Sequence, residues 1–216
     1  MTIHQIWTRR NKHRVGDNVA PLVMINHLAA TCLQDFQQSC LNPPKTPSHP
    51  KAPKWLPPPP STWVKVNFEG ATFGNSSSVG LGAIIRNDMG LVMVAFTQPI
   101  PLPTSVEMVE VLAARGALCF AKDLDFNKVI LEGDSEIIIK ALKNGGPSSS
   151  SFGYIIKDIM VLSSSLRNVL FSHTSRQGNR VAHEMARLAC NFVQFQSWME
   201  DVPPEVFDVY LSEVIK

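Results

Sequence analysis

Between Trp63 and Glu69 apolar and polar residues alternate: Val64, Val66 and Phe68 against Lys65, Asn67 and Glu69. A two-residue period is that of a strand with one face on a core and the other polar. The strand is expected to end at Glu69 on its polar face. Gly70 then reads as a stop that lets the backbone turn and leaves the carboxylate open to a ligand. Two β-rich runs follow at residues 79–86 and 91–97, separated by Asn-Asp-Met-Gly, with Gly90 at the permissive position of a hairpin. The three runs predict an antiparallel meander closed by residues 99–104.

The period then lengthens. Residues 106–121 are rich in Ala, Leu, Val and Met behind a capping candidate, Ser105, which predicts a long helix. Residues 128–131 are a short apolar strand, turned by Glu132-Gly133-Asp134-Ser135 into a helix at 136–142, which Asn144-Gly145-Gly146-Pro147 stops. Residues 152–166 carry Ile155, Ile159 and Leu162 at helical spacing. Residues 169–173 read as a fifth strand, and Asn179 as the cap of a last helix reaching about residue 192. This order predicts an α/β fold: a five-stranded mixed sheet, three strands antiparallel and the rest parallel, with helices on both faces.

The flanks differ from this core. Residues 1–41 are basic with one helical apolar stripe at 19–33. Residues 42–61 are so dense in proline that they predict an extended, semi-rigid linker, with a PxxP-type ligand as the other reading. The domain is expected at 62–192, followed by an acidic tail, 193–216, as a short helix or a loose end. Of the 216 residues 44% are hydrophobic and 18% charged, enough for a sizeable core and against wholesale disorder. Net charge is +2, unevenly spread: residues 1–62 hold seven Lys/Arg against two Asp/Glu, the rest thirteen against sixteen. Any pull on nucleic acid comes partly from the basic arm.

The four cysteines lack zinc-site spacing. Neither a signal-type apolar run nor a stretch of ~20 apolar residues is present, so a soluble, intracellular monomer is expected, with no membrane partner. Arg9, Arg10, Lys12 and Arg14 are basic enough for nuclear import, leaving nucleus or cytoplasm open.

Three acids stand at comparable places: Glu69 at the end of the first strand, Glu110 in the long helix and Asp134 where the fourth strand meets its helix. Ligands gather at the carboxyl ends of parallel strands, so Glu69 and Asp134 converge if their strands are neighbours. Crowded carboxylates need neutralising, and a hard divalent cation is the usual means. Each has an ordinary reading as well: Asp134 as a helix cap, Glu110 with Glu107 as a solvated face, His173 as a hydrogen-bonded strand histidine and His183 as a helix surface residue.

The motifs KVNFEGA, GLGAIIRNDMG, SVEMVEVLAARGAL, VILEGDS and HTSRQGNRVAHEMARLA occur in this order between residues 63 and 192. Together they resemble the ribonuclease H type 1 fold, and more closely the reverse-transcriptase-like ribonuclease H domain of plant proteins and plant non-long-terminal-repeat retroelements. IWTRRNK at 6–12 and the Pro-rich stretch also look like what precedes this domain in such elements. The resemblance implies metal-dependent cleavage of the RNA strand of RNA/DNA hybrids, with Mg²⁺, or Mn²⁺ in its place. It implies Glu69, Glu110 and Asp134 as the metal-holding acids, His173 as the helper histidine, and His183 where a fourth acid is expected. Asn67, Gly70, Asn75, Arg176 and Arg180 are then placed to meet the nucleic-acid backbone and its 2′-OH groups.

Two positions depart from the pattern. The first acid is normally Asp, and Glu69 adds a methylene, reaching ~1.5 Å further by carbon–carbon bond length. His183 removes a negative charge, and imidazole suits softer ions better than Mg²⁺. The departures favour a second reading, a nucleic-acid-binding or interaction module of retroelement origin without catalysis.

Overall fold

The computed structural model describes residues 55–59, 62–74, 76–145 and 151–214, with isolated residues between 21 and 34. The chain divides into two compact units, Met1–Lys51 and Ala52–Lys216. In the first, Asn26, His27, Ala30, Thr31 and Gln34 are helical, and the Thr31 hydroxyl donates to the His27 carbonyl at 3.0 Å. The rest concerns the second unit.

Its elements run β1 (Val64–Thr72), β2 (Ser78–Arg86), β3 (Val92–Pro101), α1 (Val106–Asp123), β4 (Lys128–Gly133), α2 (Glu136–Lys143), α3 (Gly153–Ser164), β5 (Asn168–His173), α4 (Arg180–Leu188), β6 (Gln196–Met199) and α5 (Pro204–Val214). The sheet order is β5-β4-β1-β2-β3-β6. β1–β2, β2–β3 and β3–β6 are antiparallel, β1–β4 and β4–β5 parallel. The mixed α/β sheet is as expected, with six strands rather than five. The sixth comes from the tail, where Gln196–Met199 pairs with Val94–Thr97, a four-residue strand too short to show a period.

The β2–β3 hairpin turns as its sequence predicts, the Asn87 side-chain oxygen accepting the Met89 and Leu91 N–H groups. β3 then runs past the expected closure at Pro99. Leu102 donates its N–H to Ser77 on the β2 side. By alternation positions 99 and 101 face the outer edge, where a missing N–H removes no ladder bond.

Helices α1, α2 and α3 cover one face. Val64, Val66 and Phe68 of β1 join Val79, Leu81, Ala83 and Ile85 of β2 and the buried faces of these helices in the larger core. Ser105 caps α1, its hydroxyl accepting the Met108 N–H. Helices α4 and α5 cover the other face, around Ile84, Val181, Met185, Val202 and Val206. There β2 presents Gly82, where a Cβ would stand 2.1 Å from the Ala186 nitrogen. Only glycine lets α4 lie this close, and that contact brings His183 toward β1.

The second face corrects the reading of β1. Lys65, Asn67 and Glu69 are polar but not solvated: Asn67 is wholly buried, and the other two are 5% exposed. Trp55, in the proline-rich stretch, covers Lys65 and Asn67. It is buried, so this stretch is not all linker: its Trp55–Pro59 end is part of the domain. Arg86 lies over the Trp55 ring at 4.2 Å and pairs with Glu213 of α5 at 2.8 Å, while Lys65 pairs with Glu132 at 3.0 Å. Buried charges persist only when partnered, and here each partner comes from a different segment.

Candidate active site

Three elements deliver three carboxylates to one cleft. Glu69 comes from β1, Glu110 from the second turn of α1 and Asp134 from just after β4. Because β1 and β4 are parallel neighbours, with Asn67 opposite Glu132, their C-terminal ends lie side by side. One oxygen from each carboxylate lies within 4.8 Å of the others. The extra methylene of Glu69 does not take it out of the cluster.

β1 does not end at Glu69; it continues through Gly70 to Thr72. Gly70 supplies space rather than a turn, since a Cβ there would sit 2.7 Å from Val109 Cγ1. With no side chain in the way, α1 lies against β1, which brings the Glu110 carboxylate near the Gly70 backbone N–H. Asp134 is not the cap of α2 either: that position is Ser135. Its carboxylate is therefore available to the cleft.

Burial pushes the Glu69 carboxyl up to about 9, reinforced by the charges of Glu110 and Asp134 and opposed by a hydrogen bond from Asn179. Burial, then Asp134, pushes Glu110 up to about 7 against the Gly70 amide and Arg176. The group thus retains a proton at neutral pH when no cation neutralises it. Oxygen donors, surplus negative charge and partial burial fit a hard divalent cation.

His183 places Nδ1 3.6 Å from Glu69 Oε1, beyond hydrogen-bond reach, and that nitrogen is buried without a partner. Burial and the neighbouring Arg176 lower its pKa. The ring therefore stays neutral into its ordinary titration range and does not cancel the carboxylate charge. Arg176 and Arg187 line the cleft with Gly70, Ser135, the three acids and His183, around a volume of about 500 Å³.

The remaining candidates fall elsewhere. His173 is exposed at the end of β5, its Nε2 3.1 Å from the backbone oxygen of Asp134; it supports the turn that carries Asp134 and does not line the cleft. Arg180 points to Ser212 of α5, away from the carboxylates. Asn75 lies outside the described residues. Asn67 cannot touch nucleic acid: it is fully buried, donating to Glu132 and Asn179 and accepting from Trp55 and Arg86.

Asn179 is the N-cap of α4, as the sequence predicts, but its side chain makes no cap bond. Its Nδ2 donates instead to Glu69 Oε2 at 2.7 Å and to the Phe68 carbonyl at 2.9 Å. A capping asparagine and one reaching across to a strand read alike in sequence, so nothing there separates them. Arg187 was also missed; on α4 it falls one turn after His183, and that spacing was the available signal.

The sequence profile of the reverse transcriptase-like family matches residues 67–189. An Arabidopsis thaliana protein bearing a provisional ribonuclease H name is 29% identical over 152 residues, 70% of this chain but 24% of that protein's length. In fold the chain is similar to ribonuclease H1 of the archaeon Halobacterium salinarum NRC-1, with a TM-score of 0.56 at 22% identity, over 60% of this chain and 98% of the other. It is also similar to the N-terminal ribonuclease H domain of a Mycobacterium tuberculosis protein, at 0.54 and 19%, over 60% and 94%. A ribonuclease H1 isolated from compost, solved in complex with an RNA/DNA hybrid, gives 0.53 and 19%, over 59% and 96%. With the profile spanning more than half its length, the chain belongs to the reverse transcriptase-like family and carries a ribonuclease H-like domain.

Proposed function

We propose that the domain hydrolyses the RNA strand of RNA/DNA hybrids, using Mg²⁺ or Mn²⁺. The observation that carries this reading is the convergence of Glu69, Glu110 and Asp134, from three separate elements, with oxygens within 4.8 Å at the ends of parallel strands. These three would hold the cation. Bound there, it supplies Lewis-acid charge that activates water and stabilises the leaving oxygen of a phosphodiester.

The chain's own groups do the rest. Arg176 and Arg187 bring positive charge to the cleft wall, suited to the phosphates of an incoming strand. Neutral His183 can carry a proton at Nδ1 beside Glu69. Asn179 holds Glu69 Oε2, leaving Oε1 on the side of His183. The basic residues of the N-terminal arm add salt-dependent affinity.

A labelled RNA/DNA hybrid incubated with the full chain in Mg²⁺, and separately in Mn²⁺, tests the reading. Cleavage that disappears in Asp134→Asn supports it; cleavage surviving in that variant removes Asp134 from the reaction. Two observations favour a second reading, a binding module without turnover: Asn179 occupies one Glu69 oxygen, and His183 stands where the resemblance places a fourth acid. Hybrid binding by a folded protein that cleaves in neither metal would select it.

A further inference from the structure

We propose that Trp55, Asn67 and Asn179 are positioning residues, a relay of hydrogen bonds with fixed direction that orients the Glu69 carboxylate; its catalytic meaning rests on the hydrolase reading above. The direction follows from donor chemistry. Asn67 Oδ1 accepts from Trp55 Nε1 at 2.9 Å and from an Arg86 terminal nitrogen at 3.0 Å. An indole N–H and a guanidinium can only donate, so the oxygen of the Asn67 amide must face them.

Its Nδ2 is thereby turned to Glu132 Oε1 at 3.1 Å and Asn179 Oδ1 at 3.3 Å. With its oxygen accepting from Asn67, Asn179 must present Nδ2 to Glu69 Oε2 and the Phe68 carbonyl, at 2.7 and 2.9 Å. The opposite amide orientation would set oxygen against a carboxylate and a carbonyl. All four relay members are buried, so water offers no substitute partner.

Two anchors of the relay lie outside the stretch that matches the family profile. Trp55 precedes residue 67, and Glu213, which holds Arg86 at 2.8 Å, follows residue 189. The proline-rich segment and the C-terminal helix thus set the geometry of an acid that neither contributes.

The test is Trp55→Phe in the full chain, which keeps a six-membered aromatic ring beside Arg86 and removes the indole N–H together with the pyrrole half of the ring. Nuclear magnetic resonance of the Asn179 side-chain amide and the Glu69 carboxyl carbon, without metal, reads the relay. Calorimetric titration with Mn²⁺ reads its consequence. Trp55→Phe is expected to move both resonances and to weaken Mn²⁺ binding by about 3–10-fold, below the ~10–100-fold loss usual for direct partners of metal ligands and expected for Asn179→Ala.

The double variant is expected to bind no more weakly than Asn179→Ala, because the relay acts through that one donor. Reciprocally, Asn179→Ala shifts the Trp55 indole N–H signal. Unmoved resonances, or losses that multiply in the double variant, overturn the relay. Should the wild type bind no Mn²⁺ and cleave no hybrid while Trp55→Phe still moves the Asn179 and Glu69 signals, the relay stands and the hydrolase reading falls.

Discussion

The two faces of β1 are built from alternate residues of one strand, yet they are held by different physics. Val64, Val66 and Phe68 enter a core of aliphatic and aromatic side chains under α1, α2 and α3, where stabilisation scales with the apolar area removed from water. Lys65, Asn67 and Glu69 are as deeply buried. Their face, however, holds through pairing: Glu132 pairs with Lys65, Glu213 with Arg86, and Asn179 hydrogen-bonds Glu69. An apolar face tolerates the loss of any one contact in proportion to area, whereas a buried polar face fails when one partner is removed. The carboxylate cluster grows at the end of the second face, the one equipped to hold charge away from water.

The sharpest way to break this contrast is to remove a partner. Glu213→Gln leaves the Arg86 guanidinium buried without its countercharge and is expected to cost about 3–5 kcal/mol in urea unfolding. A loss below about 1 kcal/mol would mean that the polar face is not held by pairing. On the apolar face Leu118→Ala, at a fully buried position, is expected to cost about 2–5 kcal/mol while leaving Mn²⁺ affinity unchanged. A changed affinity would show that the two faces are not separable.

Gly82→Ala sets a methyl against the α4 backbone and is expected to cost about 1–3 kcal/mol, displacing His183 from Glu69. Its check is a paired measurement of the unfolding midpoint and the His183 ring resonances.

The last comparison is over pH. The fold raises Glu69 from 4.5 to about 9 and Glu110 from 4.5 to about 7, so the native state holds protons that the unfolded chain has released. Their contribution to stability is full below about pH 4.5 and is lost as pH rises through about 7 and then 9. In chelator, the thermal midpoint of the wild type is therefore expected to fall over this range more than that of Glu69→Gln. Parallel curves would contradict the assignment.

Much of the architecture was legible because its signals are local. Alternation marked β1, β-rich runs around a turn marked β2 and β3, Ser105 marked the start of α1, and the shift from period two to helical spacing gave the element order. The three acids were legible as occupants of strand ends and one helix face. What escaped depends on distant segments. Alternation says that Lys65, Asn67 and Glu69 share a face, but not that Trp55, α4 and α5 close over it. Proline density predicts an extended chain and gives no sign that Trp55 is buried. Gly70 reads as a turn residue, although its use is to admit Val109 of α1, a contact made across about forty residues of sequence.

The central claim is that Glu69, Glu110 and Asp134 form one cation site at the end of the polar face. Calorimetric titration of Mn²⁺ into the full chain and into Asp134→Asn tests it most directly. Saturable binding by the wild type that is lost in Asp134→Asn, with both proteins folded, is the predicted result. Equal binding by the two proteins, or none by a folded wild type, would contradict it.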